Sequence, residues 1–408
     1  MDTIAQALEI VALILLVGAM GEFVFSRTGI PDVLWLVSAG VLAGPVFGLV
    51  SPALLQPAVP LFGAVALTII LSGGASRLRL EDVAAAGPRG LLLGCAGFLF
   101  SVAAVCLWLW LVTAMGFVKP ASLLTWLIAG TIVGGTSSLI IMPTTAAGKV
   151  NPRVARLLEV ESSSTDALSI VLTMVLIDLL VTGGVSLSRP LVALARELGV
   201  GVGVGAAGAA LLLPVVPALR NNPHAYTAFL AAMLLVYAIT SQLDGNGAMA
   251  VLTAALLVGN ASSIVPRLIP GADARAFVTD ENARAMQGQM SFFIKSFFFV
   301  LIGLMFPTSP RLIVLGAAPV ILLLAARIPA VRLATLGLGL SKRQSRLLTV
   351  AVPRGLAAGV LSAIPVHYGI AGSDFPPAIF ALIVTSILVF CAGVALVGRM
   401  SDDIDTSA

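Results

Sequence analysis

Charge is what this chain has least of. Asp, Glu, Lys and Arg make up 10% of its 408 residues, where a soluble domain carries about 25%. That deficit excludes a water-soluble enzyme or binding domain of this size. Histidine is nearly missing, with two in the whole chain. Metal catalysis and a histidine-based nucleophilic triad therefore have almost nothing to draw on. The three cysteines, Cys95, Cys106 and Cys391, all fall in apolar runs. They suggest neither a disulfide framework nor a metal site and read as small apolar filler. The net charge of +4 is no nucleic-acid signature, because the basic residues sit in short loops. Gly-rich stretches such as 199–208 lack the strand context and lysine of a phosphate loop and read as close helix packing.

What the chain has is apolar sequence, 59% by count, with a mean hydropathy of +1.08. The runs are about 20 residues long, the length that crosses a bilayer as a helix. About thirteen spans follow: 4–24, 30–49, 58–75, 90–116, 121–147, 157–183, 193–217, 225–241, 247–264, 289–306, 311–335, 346–367 and 375–398. The expected fold is an all-α membrane protein with 1–398 as one transmembrane domain and 399–408 as a short tail. Met1-Asp2-Thr3 lacks the positive region of a signal peptide, so the first run is expected to be retained. No stretch between spans is long enough for a soluble domain, and none is expected.

Alternate loops divide the basic residues fifteen to four, Arg27 to Arg399 against Lys119, Arg189, Arg196 and Arg311. The positive-inside rule then places the N-terminus outside and the C-terminus in the cytoplasm, across a cell membrane. Four further basic residues, Lys295, Arg327, Arg332 and Arg354, fall within spans or near their ends. Arg332 can snorkel; the others need partners.

Two triplets of spans, near 90–183 and near 311–398, carry a polar break in their middle member. The first break is Gly134-Gly135-Thr136-Ser137-Ser138, with Pro143 beyond it; the second is Pro353-Arg354-Gly355. The spacing of the triplets inserts them with opposite orientation, as an inverted repeat requires.

The segment Glu161-Ser162-Ser163-Ser164-Thr165-Asp166 puts two carboxylates and four hydroxyls at the head of an apolar run. An ionisable group inside a bilayer costs at least about 2.5–3.5 kcal/mol and marks a proton or ion pathway. Asp166 lies too deep to snorkel easily. It can hold a proton or a small cation but not both, which is the elementary requirement for exchange. Thr136, Ser137 and Ser138 offer hydroxyls, and an unwound segment there frees carbonyls; such oxygens suit Na⁺ or K⁺. Glu161 is expected to pair with a buried arginine, Arg354 or Arg327. Lys295 reads equally as a core charge or an interfacial anchor. Asp178 reads as a mouth residue, and His224 and His367 as ordinary span-end residues. Asp244-Gly245-Asn246-Gly247 reads as a tight turn.

These stretches together resemble the monovalent cation:proton antiporters, in the NhaP/NHE-like branch. Glu161–Asp166 resembles that family's Glu-Ser-x-x-Asn-Asp motif. Gly29-Ile30-Pro31 with Gly40–Pro45 looks like its early helix, Phe297–Gly303 like its Phe-Phe-x-x-x-Gly segment, and Pro353–Ala358 like its Arg-Gly helix. The resemblance covers roughly residues 4–398. It implies a homodimer, a dimerisation domain, a six-helix core at about 90–183 and 311–398 containing crossed discontinuous helices, and elevator-like alternating access. It implies that Asp166 carries proton and cation, that Ser162, Thr136, Ser137 and Thr165 line the cation site, and that Glu161 with an arginine is structural. The partners implied are a monovalent cation, a proton and membrane lipid, with no nucleic acid and no cofactor. Three departures stand out. Thr165 replaces the usual Asn or Asp, Ser137 falls where many relatives carry Asp, and Ser72 where many carry Glu. One titratable carboxylate then remains, which favours one-for-one electroneutral exchange, with Na⁺ the first expectation and K⁺ the second. A cation channel or sensor on the same fold, and a membrane-embedded enzyme, are the readings from other classes.

Overall fold

In a run of apolar residues with no water to satisfy its backbone, only a helix closes every N–H and C=O within the segment. The computed structural model describes residues 3–28, 32–50, 59–77, 87–137, 140–141, 150–181, 188–219, 222–268 and 281–398, and the described residues are helical with short connections. The helices are α1 (Thr3–Thr28), α2 (Asp32–Val41, continued by a π turn at Leu42–Val46), α3 (Val59–Arg77), α4 (Gly87–Ala114), α5 (Leu123–Ile132) and α6 (Pro152–Val181). Then come α7 (Ser188–Leu212), α8 (Ala225–Gln242), α9 (Gly247–Gly259), α10 (Ala261–Leu268) and α11 (Glu281–Leu304). The chain ends with α12 (Pro310–Ala317), α13 (Pro319–Thr335), α14 (Lys342–Val350), α15 (Leu356–His367) and α16 (Phe375–Gly398).

Among the described residues, eight spans are long and apolar enough to cross a membrane, α9 and α10 form a further pair bent by 71°, and there are four shorter apolar helices. These elements follow the thirteen expected runs in order. Several runs read as single spans are interrupted, for local reasons. Pro45 sits inside the π turn that ends the second run, where a missing N–H breaks the ladder. Asn260, at the α9–α10 bend, turns its side-chain amide back onto Leu256 O at 2.9 Å. Asp244 adopts a left-handed φ of 53°, and Asn246 caps α9 by accepting from Met249 N at 3.0 Å. The tight turn is therefore present, and the polar group of Asn246 is used as a cap.

The chain divides into two compact units. Unit 1 comprises Met1–Pro57, Ala86–Thr173 and Lys295–Ala408; unit 2 comprises Ala58–Ala85 and Met174–Ile294. In unit 2, α9 is the central helix, packed by α3, α7 and α8. In unit 1, α4 packs along α13 and against α5, while α16 packs on α12, α14 and α15. The middle helix of each expected triplet is broken: α5 stops at Ile132, and α14 and α15 are separated by an extended stretch at 351–355. Pro143 and Ser138 of the first break, and the tail 399–408, lie outside the described residues.

Candidate functional site

The site grows from the two breaks, which interlock within unit 1. The first is unwound over 133–137 and the second over 351–355. Each break strands buried backbone groups, and several of them are met by the other break or by a neighbouring hydroxyl. Ser137 N donates to Pro353 O at 2.9 Å. The Arg354 guanidinium, fully buried, donates to Gly135 O at 2.9 Å and to Ser101 Oγ at 2.9 Å. Arg354 N donates to Ser386 Oγ of α16 at 2.9 Å. At Gly355 a side chain would collide with Ser137, its Cβ falling 2.5 Å from Ser137 Cβ, so only glycine lets the two strands cross.

Beside the first break runs α6. Its Ser162, Thr165, Ser169 and Thr173 repeat at helical spacing and are all buried, which puts a hydroxyl stripe on one face. Thr165 Oγ1 accepts from Thr136 N at 3.2 Å, and Ser169 Oγ accepts from Gly135 N at 3.1 Å. Thr173 Oγ1 donates to Thr131 Oγ1 at 3.0 Å. The stripe thus takes over the N–H groups that lost their helical partners. Ser162 Oγ and Thr165 Oγ1 also donate back to Glu159 O (3.3 Å) and Ser162 O (3.2 Å) in their own helix. Helix α4 approaches α6 closely at Gly94, where an added Cβ would lie 2.7 Å from Ser164 Oγ.

Glu161, 1% exposed, is gripped by Arg327 of α13 in a two-pronged pair, Nη1–Oε1 at 2.5 Å and Nη2–Oε2 at 2.7 Å. Arg327 Nε donates to Leu348 O at 2.6 Å and Thr136 Oγ1 to Glu161 Oε1 at 3.4 Å. Of the two arginines left open by the sequence, Arg327 binds Glu161 directly. Arg354 serves the breaks instead.

Asp166 follows Thr165 in α6 and is half-buried. It stands one turn beyond Ser162 on the same side of the helix, and five residues from Glu161, which faces elsewhere. Thr136 and Ser137 are buried in the first break. Unit 1 therefore gathers Thr136, Ser137, Glu161, Ser162, Thr165, Asp166, Arg327 and Arg354 around one helix and two breaks. Four formal charges, two of each sign, sit in a surround of hydroxyls and carbonyls. Oxygen donors of this kind suit a hard monovalent cation.

Several residues were not anticipated. Ser101 and Ser386 give no sequence signal, being single serines in apolar helices. Ser169 and Thr173 carried one: their spacing from Thr165. Lys295, read as core charge or interfacial anchor, is a core charge. Its Nζ lies 2.5 Å from Asp32 Oδ2, a partner not foreseen, and 3.8 Å from Glu22 Oε2. In unit 2, Ser72 is buried and donates to Ile69 O at 3.2 Å. Asp178 lies beside Glu197 of α7. His224 and His367 stand at helix ends.

A family model described as the sodium/hydrogen exchanger, transmembrane, matches residues 11–398. A K(+)/H(+) antiporter NhaP2 from Shewanella sp. (strain ANA-3) is 29% identical over 273 residues, covering 64% of this chain and 45% of its own length. The Na(+)/H(+) antiporter 1 of Methanocaldococcus jannaschii is 26% identical over 265 residues, 63% of this chain and 60% of that protein. The chain thus spans about half the length of the curated relatives it matches. In three dimensions it resembles the sodium proton antiporter MjNhaP1 of Methanocaldococcus jannaschii. The TM-score is 0.73 at 21% identity, covering 97% of this chain and 96% of that one.

Proposed function

The chain belongs to the sodium/hydrogen exchanger family, and from that premise we propose that it is a secondary antiporter exchanging one monovalent cation for one proton. The family is one of transporters, not enzymes, and the chain is a multi-pass membrane protein. The observation that carries the proposal is the interlock of two broken helices beside a helix that presents Asp166 in a hydroxyl stripe. In this reading Asp166 takes either a proton or the cation. Ser162 and the oxygens of Thr136, Ser137 and Thr165 complete the cation's shell. Glu161 and Arg327 hold α6 to α13 and carry no transported ion. With both carboxylates ionised, Glu161, Asp166, Arg327 and Arg354 sum to zero. One proton or one monovalent cation then gives the same net charge of +1, so the two loaded states are electrically alike and the exchange is electroneutral.

Na⁺ is the proposed cation and K⁺ the second reading, the latter favoured by relatives named K(+)/H(+) antiporters. A homodimer in the cell membrane, with the N-terminus outside and the C-terminus in the cytoplasm, completes the proposal. So do a core built from helices within about 90–183 and 311–398, the other helices as scaffold and dimer contact, and elevator-like alternating access.

The test is proton movement in proteoliposomes with a trapped pH dye, driven in turn by Na⁺, K⁺ and Li⁺. Asp166→Asn is expected to insert normally and move no protons. For the wild type, competition at one carboxyl makes the apparent cation KM rise as pH falls through the range in which Asp166 protonates. Each pH unit on the acid side raises it about tenfold, because one proton competes with one cation for the carboxyl and its concentration rises tenfold. Exchange persisting in Asp166→Asn would remove that residue from the mechanism. Passive cation flux without uphill movement would replace the antiporter by a channel.

A further inference from the structure

Unit 1 holds a second buried ion pair that the exchange scheme does not use. Lys295 of α11 and Asp32 at the start of α2 have side chains 10% and 5% exposed and meet at 2.5 Å. Glu22 of α1, half-exposed, stands 3.8 Å from the same ammonium. Burying such a pair rarely adds stability over apolar packing, and its best-attested use is to fix register.

Here there is a register to fix. Beyond Lys295, α11 lies against α2 so closely that Gly40 and Gly303 face one another. A Cβ on Gly303 would overlap Val37 O, and one on Gly40 would lie 2.8 Å from Gly303 Cα. Two smooth small-residue surfaces can slide; a slip by one helical turn would be about 5.4 Å and would leave both charges buried and unpaired. The next face of α11 bears on the broken helix. Phe298, three residues after Lys295 and buried, covers Gly359 of α15, where an added Cβ would lie 2.5 Å from the ring. The same added Cβ would lie 3.4 Å from Ile302 Cδ1. Helix α15 follows directly on the 351–355 break, whose Pro353 and Arg354 hold the first break at Ser137 and Gly135.

We propose that Lys295 is a positioning residue, its ion pair with Asp32 locking α11 along α2 so that Phe298 seats α15 and thereby sets the crossing of the two breaks. The pair itself touches no transported ion. Apolar replacement of both partners, Lys295→Met with Asp32→Leu, removes the lock without burying a lone charge, so the variant is expected to fold. Its hydrogen exchange, followed by mass spectrometry, is expected to rise over 351–359 and 133–137 and to stay at the wild-type level over α9. In proteoliposomes, an arm that rests on the exchange reading, turnover is expected to fall about 10- to 100-fold, the scale of ångström misplacement at a site. The cation KM should stay within about twofold, because the oxygens that bind are unchanged. The charge swap Asp32→Lys with Lys295→Asp is expected to recover protection and turnover in part. Wild-type protection and turnover in the apolar double variant would overturn the proposal and leave the pair a mere packing feature. If the wild type moved no cation, the exchange reading would fall, while the hydrogen-exchange arm would still decide whether the lock exists.

Discussion

Replacing Arg327 by Met strips Glu161 of both of its guanidinium contacts, at 2.5 and 2.7 Å. The Thr136 hydroxyl stays 3.4 Å from that carboxylate, in a residue that is only 1% exposed and so poorly placed to be hydrated. Breaking a buried pair by removing one partner costs about 3–5 kcal/mol, because a charge is left uncompensated. The same substitution frees Leu348 O, which accepted from Arg327 Nε at 2.6 Å, adding about 1 kcal/mol. Removing both partners is a different perturbation. Glu161→Leu with Arg327→Met buries no charge, and such replacements are often neutral or stabilising. The double variant should therefore be more stable than Arg327→Met alone by about 3 kcal/mol, roughly a hundredfold in the folded ratio. Thermal unfolding in detergent, followed by tryptophan fluorescence, ranks wild type, single and double. If the double unfolds at or below the temperature of Arg327→Met, the pair is not the uncompensated-charge problem described, and the assignment of Glu161 as its structural half fails.

Two further outcomes follow from the interlock. Gly355→Ala places a methyl where Ser137 already stands; overpacking of this kind costs about 1–3 kcal/mol, and transport should be lost while Gly355→Ala with Ser137→Gly regains part of it. Ser169→Ala removes the acceptor of Gly135 N and should lower stability by about 1–3 kcal/mol, the cost of an unmet buried donor. Ser169→Thr, which keeps the hydroxyl, should stay near wild type in the same unfolding assay.

The glycines, prolines and serines of 134–138 and 353–355 announced both breaks, because in a membrane such residues interrupt a helix only where something else satisfies the backbone. What they are satisfied by was not announced. Arg354 lies in the second break and Arg327 inside an apolar helix, but nothing in the sequence says which of them meets Glu161. Their division of labour arises only when α13 comes to lie against Glu161 and the second break against Gly135. Asp32 shows the same limit: next to Pro31 at a helix start it reads as an N-terminal turn residue, and nothing local marks it as the counter-ion of a lysine more than 260 positions later.

The sequence by itself determined the solvent, the helical class, the order of the spans and the positions of the breaks. All of these follow from hydropathy, helix length and backbone satisfaction, which act over a turn or a span. The tertiary structure alone decided which arginine neutralises Glu161, which hydroxyls cap the stranded amides at 135 and 136, and that Lys295 is paired and buried. Those choices rest on contacts between helices far apart in the chain, and apolar helices carry no local signal of which neighbour they will meet.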